Sequence, residues 1–203
     1  MKILCIGRNY VDHARELDNP VPEKPVFFLK PDTSLIVNNK PFFYPDFSSN
    51  IHHEVEIVIR INRPGRNIDQ RFAHRYYDEI TAGIDFTARD LQDRCKEKGL
   101  PWEISKAFDN AAPLGRFVKI SETGDPGNIS IRLDINGKIV QEGSSSQMIF
   151  SFDQIISYIS QFITLKIGDL IFTGTPAGVG PVSIGDRLQA WLNDEMLLDF
   201  YVK

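Results

Sequence analysis

Two glutamates one residue apart, Glu54 and Glu56, lie in the run His52-His53-Glu54-Val55-Glu56-Ile57-Val58-Ile59. Val55, Ile57 and Ile59 alternate there with Glu54, Glu56 and Val58, which predicts a buried strand. Side chains two apart on a strand share a face, with Cα atoms only ~6–7 Å apart, so both carboxylates point the same way. Like charges that close repel, and burial adds a desolvation cost, so a positive group belongs between them. Two readings stay open for the pair alone: a solvated strand face, or the ligands of a hard cation, which prefers oxygen donors.

Other residues able to do chemistry are spread along the chain. His13 and Glu16 stand three apart on a helix predicted between Asn9 and Leu17, and so share a face. Taken alone, such a pair is a surface contact. Lys30 ends an apolar strand over residues 25–31, where prolines on either side restrict the backbone and suit a residue that must be held in place. Asp85 falls near the end of a buried strand over residues 79–86, just before a helix that Thr87 would N-cap, with Asp90 at the capping-box position. Acids at such strand ends are often functional. On that helix Arg89, Gln92 and Asp93 share a face, so Arg89 and Gln92 could reach one ligand together.

Lys106 is the single lysine of an apolar run over residues 102–108, read as a strand. It either snorkels to water or is held inside by acids. Residues 168–180 read as a strand entering a glycine-rich loop that lacks the Lys-Ser/Thr ending of a phosphate-cradling loop. Its glycines would let backbone approach a ligand, with Thr175 as a hydroxyl donor.

The elements that must position these groups are short. Residues 2–6 predict a strand and 69–78 a helix. From residue 114 onward strands dominate, with a hairpin at Asn136-Gly137 joining 131–135 to 138–140. Residues 151–162 predict an amphipathic helix with Ile155, Ile156, Ile159, Phe162 and Ile163 inward. Two strands, 186–192 and 196–202, turn at Asn193-Asp194. The loops at 17–24 and 141–148 would shape the substrate pocket. Neither repeats nor linkers divide the chain, so residues 1–203 read as one domain.

The 203 residues can bury a substantial core, and 42% apolar with 25% charged residues is an ordinary globular composition. A net charge of −4 argues against general binding to nucleic acid or anionic membrane, so an anionic substrate must be attracted locally. No run reaches the ~18 apolar residues of a membrane span, and the first residues are too short an apolar run for a signal peptide, so a cytoplasmic protein is expected. Cys5 and Cys95 have no metal-site spacing and are expected to be inert thiols.

Gly7-Arg8-Asn9-Tyr10, His13-x-x-Glu16, Phe28-Leu29-Lys30-Pro31, His53-Glu54-Val55-Glu56, Asp85-x-Thr87-Ala88-Arg89-Asp90-x-Gln92, Lys106-x-Phe108 and Gly174-Thr175-Pro176-x-Gly178-Val179-Gly180 occur in this order. Together they resemble the fumarylacetoacetate hydrolase family along essentially the whole chain, and most of all its short members related to acylpyruvase and oxaloacetate decarboxylase. The resemblance implies an α+β, mostly β fold, its sheets rolled or sandwiched around a central metal site with a few short helices. It further implies a homodimer. Glu54, Glu56 and Asp85 would bind one Mg²⁺ or Mn²⁺. Lys30, Arg89, Gln92 and Thr175 would hold the substrate. Lys106 would sit beside the metal, and His13 with Glu16 would form a catalytic dyad on a helix that closes over the site.

Three carboxylates and one divalent cation sum to about −1, which Lys106 would bring near neutrality. A 2-oxo acid could then be cleaved between C3 and C4, leaving pyruvate enolate with its charge offset by the cation and Lys106. An acylpyruvate also needs water to attack its acyl carbon, a task for His13 oriented by Glu16, whereas oxaloacetate loses CO₂ without a base. Metal-dependent acylpyruvate hydrolysis or oxaloacetate decarboxylation is therefore expected. The alternatives are isomerisation or decarboxylation of 2-hydroxyhepta-2,4-diene-1,7-dioate-type acids and, more remotely, a metal-dependent 2-oxo acid binding protein without turnover.

Overall fold

The computed structural model describes residues 1–17 and 20–203. Its centre is a six-stranded sheet in the order Val26–Lys30, Ile3–Gly7, Leu170–Phe172, Val55–Ile61, Tyr77–Ile84, Val118–Lys119. Only the pair Ile3–Gly7 and Leu170–Phe172 runs parallel. Against it lies an antiparallel four-stranded sheet, ordered Lys138–Ser144, Ser130–Ile135, Arg187–Leu192, Glu195–Tyr201. Two small sheets of short strands complete a mostly β, α+β architecture.

The alternation read around Glu56 is what buries the central strand on both faces. Val55, Ile57, Ile59 and Ile61 enter the main core with Leu133, Leu188 and Phe200, while Val58 joins Cys5 and Phe172 in a second cluster on the opposite side. Each of these side chains is almost fully buried, worth roughly 1.5–3 kcal/mol apiece. Glu56 occupies the second face, so its carboxylate is carried into the protein by the same pleat that buries Val58. The hairpin turn at Asn136-Gly137 has φ of 53° and 76°, the left-handed pair that such a two-residue turn needs.

The helices are Val11–Glu16, Gln70–Ala73, Arg89–Lys98, Glu103–Lys106 and Phe152–Ser160. Phe152–Ser160 starts with a capping box between Ser151 and Gln154 and buries Ile155, Ile156 and Ile159; Phe162, expected inside, is exposed just beyond its end. The helix expected over 69–78 shrinks to Gln70–Ala73, because Tyr77 begins the strand that pairs with Ile61. Thr87 does not cap the next helix. It belongs to a short strand, and its hydroxyl donates to Glu54 instead, 3.1 Å away. Lys106 ends a one-turn helix, not a strand. Of the two loops expected to shape the pocket, residues 18 and 19 lie outside the described residues, and 141–144 extend the hairpin strand.

Candidate active site and metal centre

Strand register assembles the acidic cluster. Val55 pairs with Ile84, and the Asp85 amide donates to the Glu54 carbonyl at 2.8 Å, so the residue following one strand faces the two glutamates that open its neighbour. One carboxylate oxygen from each of Glu54, Glu56 and Asp85 lies within 4.8 Å of the others, and all three side chains are buried.

Three cations surround this cluster. Lys106 Nζ stands 2.9 Å from Glu54 Oε2 and 2.8 Å from Asp85 Oδ2. Lys30 Nζ lies 2.7 Å from the other oxygen of Asp85, and Arg89 donates to Glu54 Oε1 at 2.6 Å. Three cations thus face three carboxyl groups, two more cations than the single lysine foreseen beside the metal from sequence. Lys30 does not line the cavity. It is 2% exposed and also donates to the carbonyl oxygens of Phe86, Lys106 and Ala111, so in this structure its ammonium is engaged by Asp85 and the backbone.

The carboxylates are not equivalent. Burial alone would push Glu54 up, but Lys106 and then Arg89 hold it well below the usual carboxylate range. Glu56 is pushed well above that range by burial, then by Asp85 and Glu54, against the opposing effects of the Gly174 amide, which donates at 2.6 Å, and of Lys106. For Lys106 burial acts downward, yet Asp85 and Glu54 win and raise it, so it stays an ammonium. A carboxyl group pushed upward by burial and by two neighbouring carboxylates is what a divalent cation would relieve, and an all-oxygen donor set suits a hard one. The residues present therefore fit the implied Mg²⁺ or Mn²⁺.

Across the cavity stands the helix Val11–Glu16. His13 is 5% exposed, and its Nδ1 lies 3.2 Å from Glu16 Oε2. The other Glu16 oxygen accepts from the Gly178 amide at 3.0 Å, which ties the helix to the glycine-rich loop. Gly178 has φ +100°, and a Cβ there would come 2.5 Å from the Val140 carbonyl oxygen. These glycines bring backbone close to the protein's own side chains, Gly174 to Glu56 and Gly178 to Glu16.

One cavity is lined by His13, Glu54, Glu56 and Asp85 together with Arg89, Gln92, Lys106 and Thr175. Sequence reasoning missed Gln141. It is 1% exposed, accepts from Val55 N at 3.0 Å, lies 2.8 Å from His53 Nδ1, and donates to Thr175 Oγ1 at 2.8 Å and to Pro176 O. The sequence reading ends the hairpin strand at residue 140 and leaves Gln141 in the loop expected to shape the pocket; the strand in fact runs to Ser144. Arg8, Lys96 and Trp102 also line the cavity.

The family model of the fumarylacetoacetate (FAA) hydrolase C-terminal domain matches residues 2–200. The chain belongs to the fumarylacetoacetate hydrolase family. Within that family it is 42% identical over 201 residues to oxaloacetate tautomerase FAHD1, mitochondrial, of Bos taurus, covering 99% of this chain and 91% of the relative. It is equally 42% identical over 206 residues to the mitochondrial oxaloacetate decarboxylase of Dictyostelium discoideum, covering 100% and 94%. The crystal structure of fumarylpyruvate hydrolase from Pseudomonas aeruginosa in complex with Mn²⁺ and pyruvate superposes with a TM-score of 0.93 at 38% identity, covering 100% of this chain and 89% of that one. The protein is thus a fumarylacetoacetate hydrolase-family enzyme of the oxaloacetate decarboxylase-like group. The two oxaloacetate enzymes carry mitochondrial names, unlike the cytoplasmic location expected for this chain. Among the described residues, no helix is long and apolar enough to cross a membrane.

Proposed function

We propose that this enzyme cleaves the C3–C4 bond of small 2-oxo acids in a reaction that depends on Mg²⁺ or Mn²⁺, hydrolysing acylpyruvates and decarboxylating oxaloacetate. One observation carries this reading: the Glu54, Glu56 and Asp85 cluster lines the same cavity as His13, whose Nδ1 is held by Glu16. The names of the relatives and the Mn²⁺ and pyruvate in the Pseudomonas structure support it.

Glu54, Glu56 and Asp85 hold the cation, which when bound supplies Lewis-acid stabilisation of charge developing on a keto oxygen. Lys106, kept protonated by its two acids, adds a second positive charge and a proton for the enolate. Gln92 gives its Oε1 to Arg89 at 2.6 Å, which leaves its NH₂ to donate to the substrate carboxylate. Thr175 Oγ1 accepts from Gln141, so its own hydrogen is directed elsewhere, toward substrate. Lys30 holds Asp85 in place.

The dyad supplies the base. Because the Glu16 carboxylate can only accept, His13 Nδ1 carries the hydrogen and Nε2 keeps its lone pair for a proton of water. Attack of that water on the acyl carbon breaks C3–C4, and the bonding electrons pass to the pyruvate fragment, which takes up a proton. Loss of CO₂ from oxaloacetate needs no such base. Keto–enol exchange of oxaloacetate, in the name of the Bos taurus relative, would use the same enolate and is the second reading. The homodimer implied by the family resemblance belongs to this proposal.

Pyruvate release from acetylpyruvate and from oxaloacetate, each with Mg²⁺, with Mn²⁺ and with chelator, tests the function. Metal-dependent release from both is expected. Absence of release from either, with Mn²⁺ bound, would overturn the assignment and leave the diene-dioate isomerase to be assayed next. Sedimentation of the purified protein tests the dimer.

A further inference from the structure

Lys30, Lys106 and Arg89 are engaged by the carboxylates of the triad, and Arg89 is committed to Glu54 and Gln92. Two further cations, Arg8 and Lys96, line the same cavity and have no part in those ion pairs. Both are half-buried, and neither forms an ion pair with a carboxylate among the described residues. Asp93 is the acid on the helix of Lys96 that acts on it. Lys96 is nonetheless held below its ordinary value, first by burial, then by Arg89, with Arg8 adding to the same effect. Asp93 and Glu54 act on Lys96 in the opposite direction without pairing with it, and partly desolvated cations gathered without an ion-paired carboxylate favour an anion between them.

The backbone adds a second observation. Arg8 has φ +61°, a left-handed conformation that costs a residue with a Cβ on the order of 1 kcal/mol or more. The fold enforces it through the next residue: Asn9 donates to Thr173 O at 2.8 Å and Phe150 O at 3.0 Å, and accepts from Phe150 N at 2.8 Å. In this conformation the Arg8 guanidinium lies 6.0 Å from the centre of the Trp102 ring, beside the cavity that Trp102 also lines. A planar fork held on an aromatic face is suited to a carboxylate.

Building on the 2-oxo acid reading, we propose that Arg8 and Lys96 form a second carboxylate subsite, which selects 2-oxo acids bearing another carboxylate at the far end of the chain over those ending in a neutral group. The 2-oxo acid head would face the acidic cluster, and the distal carboxylate would lie between the two free cations.

The test is calorimetric titration of the Mn²⁺-loaded protein with 2-oxoglutarate and 2-oxopentanoate. They differ in the distal carboxylate, and neither has the β-dicarbonyl bond that the enzyme would cleave. The wild type is expected to bind 2-oxoglutarate about tenfold more tightly or better, the size of one charge-assisted hydrogen bond. Arg8→Gln and Lys96→Gln should each bring that ratio toward one, Arg8→Lys should restore part of it, and Lys98→Gln, an exposed change on the same helix, should leave it as in the wild type. Thermal melting checks that each variant is folded. Equal binding of the two acids by the wild type, or a ratio untouched in both Arg8→Gln and Lys96→Gln, would overturn the subsite. If Mn²⁺ binds and neither acid does, the 2-oxo acid reading itself fails, and the subsite with it.

Discussion

The acidic cluster and the dyad face each other across one cavity but are held by different means. Glu54, Glu56 and Asp85 stand at paired strand ends, and three cations and several hydrogen bonds fix their oxygens. His13 and Glu16 stand on a six-residue helix whose N-cap, Tyr10, contributes no side-chain bond. A helix that short does not persist alone, so it is held by its neighbours: Asn9 at its entrance and the Gly178 amide near its end. The contrast teaches a division of labour. In the proposed reaction, electrostatic stabilisation would be built into the sheet, where a displaced charge is costly, while proton transfer would be carried by a segment with few anchors.

Damage to the sheet side should be the more severe. Asp85→Ala leaves Lys30 and Lys106 buried without their shared partner, so stability should drop by about 3–5 kcal/mol and turnover of both substrates should vanish. Denaturant unfolding with parallel assays checks both. Damage on the helix side should cost chemistry without the fold. His13→Ala should lower acylpyruvate hydrolysis by roughly 10²–10⁴-fold while stability stays within about 1 kcal/mol of the wild type. Steady-state kinetics together with melting curves would contradict this if stability collapsed as it does for Asp85→Ala.

Gly178→Ala sharpens the comparison, because it acts on the dyad only through Glu16. The added Cβ meets the Val140 carbonyl at a φ no ordinary residue favours, so the loop must shift and Glu16 loses its amide donor. A fall in kcat of about tenfold for the acylpyruvate, with less effect on oxaloacetate, is expected from loss of one hydrogen bond worth ~1–1.5 kcal/mol.

The smallest effect is a pH dependence. Glu56 has a raised carboxyl pKa in the fold, so a proton binds it more tightly in the native state than in the unfolded chain. That contribution is complete below the ordinary carboxylate range and is lost as pH rises toward the folded value. Metal-free protein should therefore lose stability across that window, and Mn²⁺, which needs the ionised form, should restore more of it at the upper end. Melting temperatures with chelator and with Mn²⁺, taken as a function of pH, check the sign.

Much of the sheet side could be read from local pattern. The alternation around Glu56 and the Asn136-Gly137 turn depend only on nearby residues, and both stand as read. The departures come from partners distant in sequence. Thr87 has the chemistry of a cap, but a carboxylate 33 residues away claims its hydroxyl. Lys106 sits in an apolar run that resembles a strand, yet one helical turn carries it to Glu54 and Asp85. Lys30 was visible as a constrained lysine, but only the fold reveals that Asp85 and three carbonyls consume its ammonium. Gln141 gave almost no signal, because a polar residue in a hairpin strand is ordinary until the loop beneath it is known.

The most direct test measures Mn²⁺ affinity and acetylpyruvate turnover together in Glu56→Gln and His13→Ala. Glu56→Gln should lose both, and His13→Ala should bind Mn²⁺ like the wild type while losing hydrolysis. Weakened Mn²⁺ binding in His13→Ala, or wild-type binding in Glu56→Gln, would contradict the division between a metal-holding sheet and a proton-moving helix.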